Sequence, residues 1–307
     1  MQALPRENLR QLQLLLQGMT ALHTDTQDAS TLSPPHERAL ARALKLANSE
    51  TPDGLIPWAA QDAAEQLPTE PGQAWAWLTP CHWAMGHLHA TLSDPAALAL
   101  GENESRTLLA IMQPYFASDG LTLHYLNPER WLAEGELLRH LPSASLDRVM
   151  ARNVDAWLPK ASAAPDAGPA ARTLLRLQNE MQMLLYTHPL NDLRQSRQQL
   201  PVNSFWLSAT GALPAACGVA PTGITAPRHL AQAVFNEDWL AYEKAWGLLD
   251  HEAIAPLLAR QRAGDTVQLT LCGEHSAQTF ATSPKSLRST ITNFFAKKSV
   301  LEILKNL

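Results

Sequence analysis

The sequence predicts an α/β fold in which a mixed sheet is flanked by helices, and two kinds of pattern carry that prediction. In segments 102–116 and 173–186, apolar residues recur every three or four positions, which is the spacing of a helix with one buried face. In LTLHYLN at 121–127, apolar and polar residues alternate as in a half-buried strand. Because strands and helices follow one another along a chain of 307 residues, the α/β class is favoured.

The other elements follow the same two patterns. The chain begins with a predicted helix over 7–19, where leucines recur at helical spacing, and a second helix is predicted from about Pro35. Trp75–Leu78 is predicted to be a buried strand. Near the end, residues 267–271 alternate strictly before a glycine turn, which predicts a hairpin. Residues 286–307 predict one or two amphipathic helices.

A further helix is predicted from Asn236, and it carries three aromatic residues. Trp239, Tyr242 and Trp246 occupy positions i, i+3 and i+7, which places them along one side of the helix. An aromatic stripe with this spacing is usually part of a core, and the nine tryptophans of the chain are interpreted in the same way. We therefore expect these three rings to be buried.

The segment Leu158–Arg172 is rich in alanine and proline and has almost no large apolar residues, so it is predicted to be a linker or a long surface loop. As a linker it would separate an N-terminal α/β part (1–157) from a C-terminal α/β part (173–307) that carries the HPLN and PVNSFW motifs. One compact domain remains the alternative, because a surface loop has the same composition as a linker.

Composition and charge narrow the class of partner and the compartment. The net charge is −5 and no clustered basic face is visible, so nucleic acid is not expected as a partner. No apolar run approaches the roughly 20 residues of a membrane-spanning helix, and the N-terminus lacks the order of a signal peptide. Cys81, Cys217 and Cys272 are widely spaced, which indicates a reducing compartment. We therefore expect a cytoplasmic protein that does not associate with membranes.

Three histidines, His82, His87 and His89, crowd one short region and suggest metal ligands. A helix cannot place all three on one face, whereas a strand over 86–92 would put His87 and His89 on the same side. The sequence contains no CxxC or HExxH spacing. The prediction is therefore that the protein binds no metal and no other cofactor, and these histidines are candidate ligands under the alternative.

The most informative stretch is LLRLQNEMQMLLYTHPLNDLRQSRQQLPVNSFWLSATG at 174–211. Its first helix is predicted to end at His188, because the residue before a proline is pushed out of the helical region. Asn191 can cap the next short helix, on which Arg194 and Arg197 lie three positions apart. Two guanidinium groups beside a helix N-terminus can bind a phosphate or a carboxylate. Two exposed arginines that pair with nearby acids would show the same spacing.

A buried strand, VNSFWLS, follows at 202–208 and contains two polar residues near its start. Asn203 and Ser204 should be hydrogen-bonded if they are buried, or should face a ligand. No catalytic residue is predicted. The predicted ligand-binding residues are His188, Asn191, Arg194, Arg197, Asn203 and Ser204.

Segment 179–211 resembles a bacterial family described as regulatory protein of the RpfE type, sometimes labelled a phosphoglycerate mutase. LTPCHWAMG, DGLTLHY, ERWLAEGE and SLDRVMARNVDAWLP fit the same family, so the resemblance extends from about Ser33 to Asp250. The stretch HPLNDLRQSRQQLPVNSFWLSATG is also similar, more distantly, to archaeal-type cofactor-independent phosphoglycerate mutases. In that pattern the matching positions are His188, Asn191, Arg194 and Asn203.

Those mutases belong to the alkaline-phosphatase-like superfamily, whose members use two divalent metals and a Ser or Thr nucleophile. The sequence has no Asp-Gly start at an N-terminal strand, no nucleophile segment of the type DSxxNL and no Asp-His-Ser/Thr-Thr-Pro metal motif. The resemblance therefore implies part of the mutase scaffold without its metal core.

Three functions remain open from the sequence. The favoured one is a non-catalytic, mutase-like protein that binds a small anionic metabolite or a protein partner in a regulatory role. The second is a metal-dependent phosphoryl-transfer enzyme, either a phosphoglycerate mutase-like isomerase or a phosphatase. It would require convergence of His82, His87, His89, Asp119 and His124. The third is a structural or interaction protein whose tryptophans and C-terminal helices form an interface.

Overall fold

The computed structural model describes residues 9–87, 89–160, 167–214, 221–282 and 299–307. The chain divides into two compact units, which are defined by the contacts in space between residues of the same unit. Unit 1 consists of Met1–Ala29, Pro35–Leu40 and Gly223–Leu307, and unit 2 consists of Ser30–Pro34 and Ala41–Thr222.

The helices and strands of the described residues are numbered in chain order. The α-helices are α1 (Arg10–Gln17), α2 (Pro35–Ala43), α3 (Trp58–Gln66), α4 (Glu102–Ser118), α5 (Leu146–Val149), α6 (Ala167–Tyr186), α7 (Pro189–Ser196), α8 (His229–Phe235), α9 (Trp239–Leu249), α10 (Ala255–Ala263) and α11 (Val300–Lys305). The strands are β1 (Met19–Thr26), β2 (Ala74–Cys81), β3 (Trp83–Met85), β4 (Ala90–Leu92), β5 (Thr122–Asn127), β6 (Arg130–Glu134), β7 (Ser204–Ala212), β8 (Gln268–Cys272) and β9 (Ser276–Thr282).

Unit 2 is built on a four-stranded sheet with strand order β5-β6-β2-β7, which helices cover on both faces. Ala76 and Leu78 of β2 pack with apolar residues of α4 and α6. Trp75 of β2 and Leu132 of β6 pack against the alanines of α3 on the other face. Because successive side chains of a strand point to opposite faces, a strand covered on both sides must be apolar almost throughout, as AWAWLTPC is.

The predicted α/β class is confirmed, and the strand pairings refine it. Adjacent strands of the three described sheets pair antiparallel. The strand predicted at Trp75–Leu78 is present and extends to Cys81. Of the strand considered over 86–92 as an alternative to a helix, the described residues form only Ala90–Leu92. The reason is that β3 and β4 are joined by a tight turn, closed by a 3.0 Å hydrogen bond from the N–H of Gly86 to the carbonyl of His89.

Unit 1 joins the two ends of the chain around one apolar core. Its sheet has the strand order β1-β9-β8. Leu15 of α1 packs in one cluster with Trp246 of α9, Phe280 of β9 and Ile303 of α11. A π-helical turn at Asp250–Ile254 connects α9 to α10. The N-terminal and C-terminal segments therefore form their apolar core together.

The division of the chain at Leu158–Arg172 stays a prediction. Residues 161–166 lie outside the described residues, and α6 begins at Ala167, inside the predicted segment. The flanks on both sides belong to unit 2. A search of the described helices finds none with the length and apolar character that crossing a bilayer requires.

Candidate functional site

The first predicted ligand-binding residue, His188, lies at the start of α7 in unit 2. Its Nδ1 accepts a 3.2 Å hydrogen bond from the backbone N–H of Leu190, so the imidazole caps the helix. Pro189 follows at the first helical position, where a backbone N–H would have no acceptor within the helix. The N–H that proline lacks therefore costs no hydrogen bond there. The half-buried ring therefore satisfies one of the free N–H groups at the helix start.

Asn191 connects the end of α6 to the chain that enters β7. Its Nδ2 donates to the carbonyls of Leu185 and Val202 at 2.8 and 2.7 Å, and its Oδ1 accepts from the N–H of Val202 at 2.9 Å. The side chain is buried. Both polar atoms of this amide are thus used by the backbone of unit 2.

Arg194 and Arg197 differ sharply in their surroundings. Arg194 is fully buried, and its guanidinium donates to the carbonyls of Leu200 and Leu98 and forms a 2.7 Å ion pair with Glu104. Arg197 lies at the C-cap position of α7 and is exposed. The structure therefore does not bring the two guanidinium groups together on one open face, although their spacing along the helix is as predicted.

Asn203 and Ser204 lie where β7 begins. The Oδ1 of Asn203 accepts from the N–H of Trp83 at 2.7 Å, and its Nδ2 donates to the Trp83 carbonyl at 2.9 Å. The Asn203 side chain thus pairs with both backbone polar groups of Trp83, as the backbone of a neighbouring strand would. These two hydrogen bonds hold β3 beside the start of β7. Ser204 is buried, and within the described part of the chain its Oγ has no hydrogen-bond partner.

The histidines proposed as metal ligands lie on both sides of β3. The Nδ1 of His82 is 2.9 Å from the carbonyl of Pro201, and His87 and His89 are exposed in the turn between β3 and β4. Among the residues that the structure describes, no three of His82, His87, His89, Asp119 and His124 lie close enough to share one metal ion.

Cys81, at the end of β2, pairs with Ser204, one of the predicted ligand-binding residues. Burial raises the pKa of the Cys81 thiol well above its ordinary value, and a hydrogen bond with Trp83 opposes that rise only in part. A thiol with a raised pKa is a poor nucleophile, because the thiolate is the reactive form. Cys217 lies outside the described residues.

A polar group on the face of the sheet that α3 covers was not identified from the sequence. Glu134 of β6 accepts from the Nε2 of Gln73 at 2.8 Å, and its other carboxylate oxygen lies 3.1 Å from the Nε2 of His124 on β5. The His124 ring packs against Trp75 with centroids 5.3 Å apart. A histidine oriented by a carboxylate is an arrangement used in acid–base catalysis. The alternation of β5 and β6 could have revealed the pair, since it places both residues on one face.

Asp62 of α3 carries a second polar contact on this face. Its Oδ2 accepts a 2.8 Å hydrogen bond from the Nε1 of Trp77, over whose ring the guanidinium of Arg130 lies at 4.0 Å. Burial raises the pKa of the Asp62 carboxyl above its ordinary value of 3.8, and the Trp77 hydrogen bond and the Arg130 charge counteract only part of that rise.

We expect Asp62→Asn to gain stability relative to the wild type as the pH rises from about 4 to 7. A carboxyl whose pKa is raised by folding binds its proton more tightly in the folded chain, so its stabilising effect is present at low pH and is lost above the folded pKa. Asparagine keeps an acceptor for Trp77 without the buried charge. Urea unfolding midpoints measured across this range test the trend. The exposed Glu129→Gln, which also removes a carboxylate, should show no comparable trend.

The outer side of α9 in unit 1 corrects the prediction of a buried aromatic stripe. Trp246 is buried, but Trp239 is 51% exposed and its neighbour Leu240 is 64% exposed. The Trp239 ring contacts Tyr242, and Tyr242 contacts Trp246, with centroids 6.0 and 6.3 Å apart. The stripe therefore runs from the core of unit 1 to its surface.

The fold and these contacts define an α/β protein whose motif residues mostly stabilise its own backbone. No protein-family model and no curated protein sequence matches the chain. Similar solved structures include the cofactor-independent phosphoglycerate mutase from Thermoplasma acidophilum DSM 1728, with 12% identity, a TM-score of 0.39 and coverage of 93% of this chain and 88% of that one. Another is the PH0037 protein from Pyrococcus horikoshii, with 11% identity, a TM-score of 0.46 and coverage of 92% and 81%. The resemblance to the RpfE-type family stays a prediction.

Proposed function

We propose that this protein is a non-catalytic, phosphoglycerate-mutase-like binding protein that acts in regulation by binding a protein partner. The observation that carries the proposal is the outer side of α9, where Trp239 and Leu240 expose 51% and 64% of their surface. Leu248, on the same helix, is 45% exposed. Adjacent large apolar side chains at a surface are typical of interaction sites, whereas single ones are ordinary.

The contacts of the motif residues support the non-catalytic part of the proposal. The polar atoms of Asn191 and Arg194 are engaged by backbone groups and by Glu104, so a ligand there would have to displace contacts that hold unit 2 together. A small anion would meet Arg197 as a single exposed guanidinium. One exposed arginine is a weaker anion site than the pair predicted from the sequence.

The test is thermal denaturation of the metal-stripped protein with manganese, zinc, 2-phosphoglycerate or 3-phosphoglycerate, together with an assay for interconversion of the two phosphoglycerates. We expect no interconversion and no rise of the melting temperature with any of these compounds. A ligand at a hundredfold excess over its Kd stabilises a folded protein by about 2.7 kcal/mol, so binding would be readily detected.

Two variants separate the outcomes that would contradict the proposal. A phosphoglycerate-induced rise that disappears in Arg197→Ala would identify an anion-binding protein instead. A metal-induced rise that disappears in His87→Ala, accompanied by interconversion, would identify an enzyme. Arg197 and His87 are exposed, so loss of folding cannot imitate either result.

Composition and motif content predict a cytoplasmic location and no cofactor. They also predict that neither nucleic acid nor a membrane is a partner, and all of these stay predictions.

A further inference from the structure

We infer that β1 is an interaction edge at which two copies of this chain pair through their backbones. β1 is an outer strand of the sheet β1-β9-β8 in unit 1, and it pairs with β9 on one side. Among the residues that the structure describes, no strand pairs with its other side. An open strand edge presents N–H and C=O groups to which another strand can add. This pairing is independent of the proposed function, which concerns α9.

The backbone groups at the open edge follow from the pairing of β1 with β9. The N–H of Gln27 donates a 2.8 Å hydrogen bond to the carbonyl of His275 across the two strands. In an antiparallel pair, residues that bond to the neighbouring strand alternate with residues that do not. Asp25 therefore points its N–H and C=O toward β9, whereas Thr24 and Thr26 point theirs toward the open edge. A second strand would meet a donor and an acceptor at each of these two threonines.

The sequence of β1 does little to protect this edge. Natural edge strands are commonly protected by lysine, by proline or by a bulge. MTALHTDT contains no lysine, arginine or proline, and it is rich in threonine, which is enriched in strands. Its pairing with β9 is irregular between Ala21 and His23 and regular from His23 to Thr26. The regular part, residues 23–26, is therefore where a second strand can add.

Residues 23–25 are complementary to themselves when two copies are related by a two-fold axis. In such a dimer one residue faces its own copy, and positions equally far on either side of it face each other. With Thr24 at the axis, His23 of each copy faces Asp25 of the other. The two Thr24 residues exchange backbone hydrogen bonds, and His23 and Asp25 form the more closely spaced kind of pair, with Cα atoms about 4.5 Å apart. The imidazole can then donate to the carboxylate at two places in the dimer.

The charge pattern favours this register and this occupant. Moving the axis by one residue places two imidazoles or two carboxylates opposite each other, and like charges directly opposite are destabilising. Pairing of β1 with β8 of a second copy gives neither His23 nor Asp25 a partner, because QLTLC in β8 carries no charge. An unrelated strand would need an acid and a base of its own at the right spacing. A second copy supplies both, so the structure points to a closed, symmetric dimer.

The first test locates the axis by disulfide cross-linking of the full-length protein. Thr24→Cys is made in a chain that also carries Cys217→Ser and Cys272→Ser, so that the buried Cys81 is the one other thiol. Facing Cα atoms of an antiparallel pair lie within the range of about 4.4–6.8 Å that a disulfide spans, so we expect a linked dimer under mild oxidation. The matched control is Thr20→Cys, the same exchange at another exposed position of β1. Its two copies would lie about eight residues apart along the strands, or roughly 27 Å, and should not be linked.

The second test measures dimerisation without cross-links by sedimentation equilibrium. A short paired segment gives weak association, so we expect a dimer whose fraction rises with protein concentration. Thr24→Pro removes an N–H at the open edge and none that bonds to β9, and it should raise the Kd of the dimer roughly tenfold or more. Asp25→Lys should weaken the dimer, because it places a cation opposite His23, and the further change His23→Glu should restore it.

Four results would overturn the inference. A monomer at every concentration is the first, and equal cross-linking of Thr24→Cys and Thr20→Cys is the second. A dimer that Thr24→Pro leaves unchanged would place the interface elsewhere, and species larger than a dimer would indicate head-to-tail pairing of β1 with β8. Leu240→Ser, an exposed change on α9, should leave the dimer unchanged, so the result separates this edge from the surface of the proposed function.

Discussion

Replacing Arg194 with methionine is expected to lower the free energy of unfolding of unit 2 by about 3–5 kcal/mol. Methionine keeps much of the volume of the side chain but donates no hydrogen bonds. The carbonyls of Leu98 and Leu200 lose their bonds to the guanidinium, and Glu104 loses a 2.7 Å ion pair. Removing one partner of a buried ion pair is costly because the groups that remain are left without a hydrogen-bond or charge partner.

Hydrogen exchange of residues 204–212 measured at increasing urea concentration reports the stability of unit 2. The matched control is Arg197→Met, the same substitution on the same helix at an exposed position, which should change stability by no more than about 0.5 kcal/mol. Glu104→Gln completes a double-mutant cycle, in which we expect a coupling energy with Arg194 of about 0.5–3 kcal/mol. Equal effects of Arg194→Met and Arg197→Met would show that the buried pair does not stabilise the fold.

The sequence predicts the class of the fold well because that class depends on local periodicity. The helical spacing of α1, α4 and α6 and the alternation of β5 and β8 are properties of neighbouring residues. How the two ends of the chain combine is not a local property. Leu15 and Ile303 share a core across nearly the whole chain, and no pattern within either segment indicates the other as its partner.

For the predicted site, too, spacing along the chain does not determine what surrounds a single side chain. Spacing alone makes Arg194 and Arg197 equivalent residues of one helix, but Arg194 is bonded to Leu98 and Glu104, more than eighty residues away in sequence. Trp239 and Trp246 likewise share a stripe by spacing. Their exposures differ because the core of unit 1 ends part of the way along α9. Periodicity assigns a face to a residue, and tertiary packing decides whether that face is covered.

Asn191→Asp is expected to destabilise unit 2 by about 3 kcal/mol at neutral pH, although the two side chains have nearly the same shape. The carboxylate can still accept from the N–H of Val202, but its other oxygen would face the carbonyls of Leu185 and Val202, which now receive a donor at 2.8 and 2.7 Å. A buried charge placed against two carbonyl oxygens is strongly disfavoured.

The pH dependence of the same variant separates this cause from a simple loss of packing. A carboxyl in this position binds its proton more tightly in the folded chain than in the unfolded chain, where its pKa is about 3.9. Its protonated form can donate to one of the two carbonyls, so the loss of stability should shrink as the pH falls from about 7 to 4. Asn103→Asp, an exposed change in the first turn of α4, should stay within about 0.5 kcal/mol of the wild type throughout. If the Asn191→Asp deficit did not change with pH, the amide would be acting through its volume and not through its two donated hydrogen bonds.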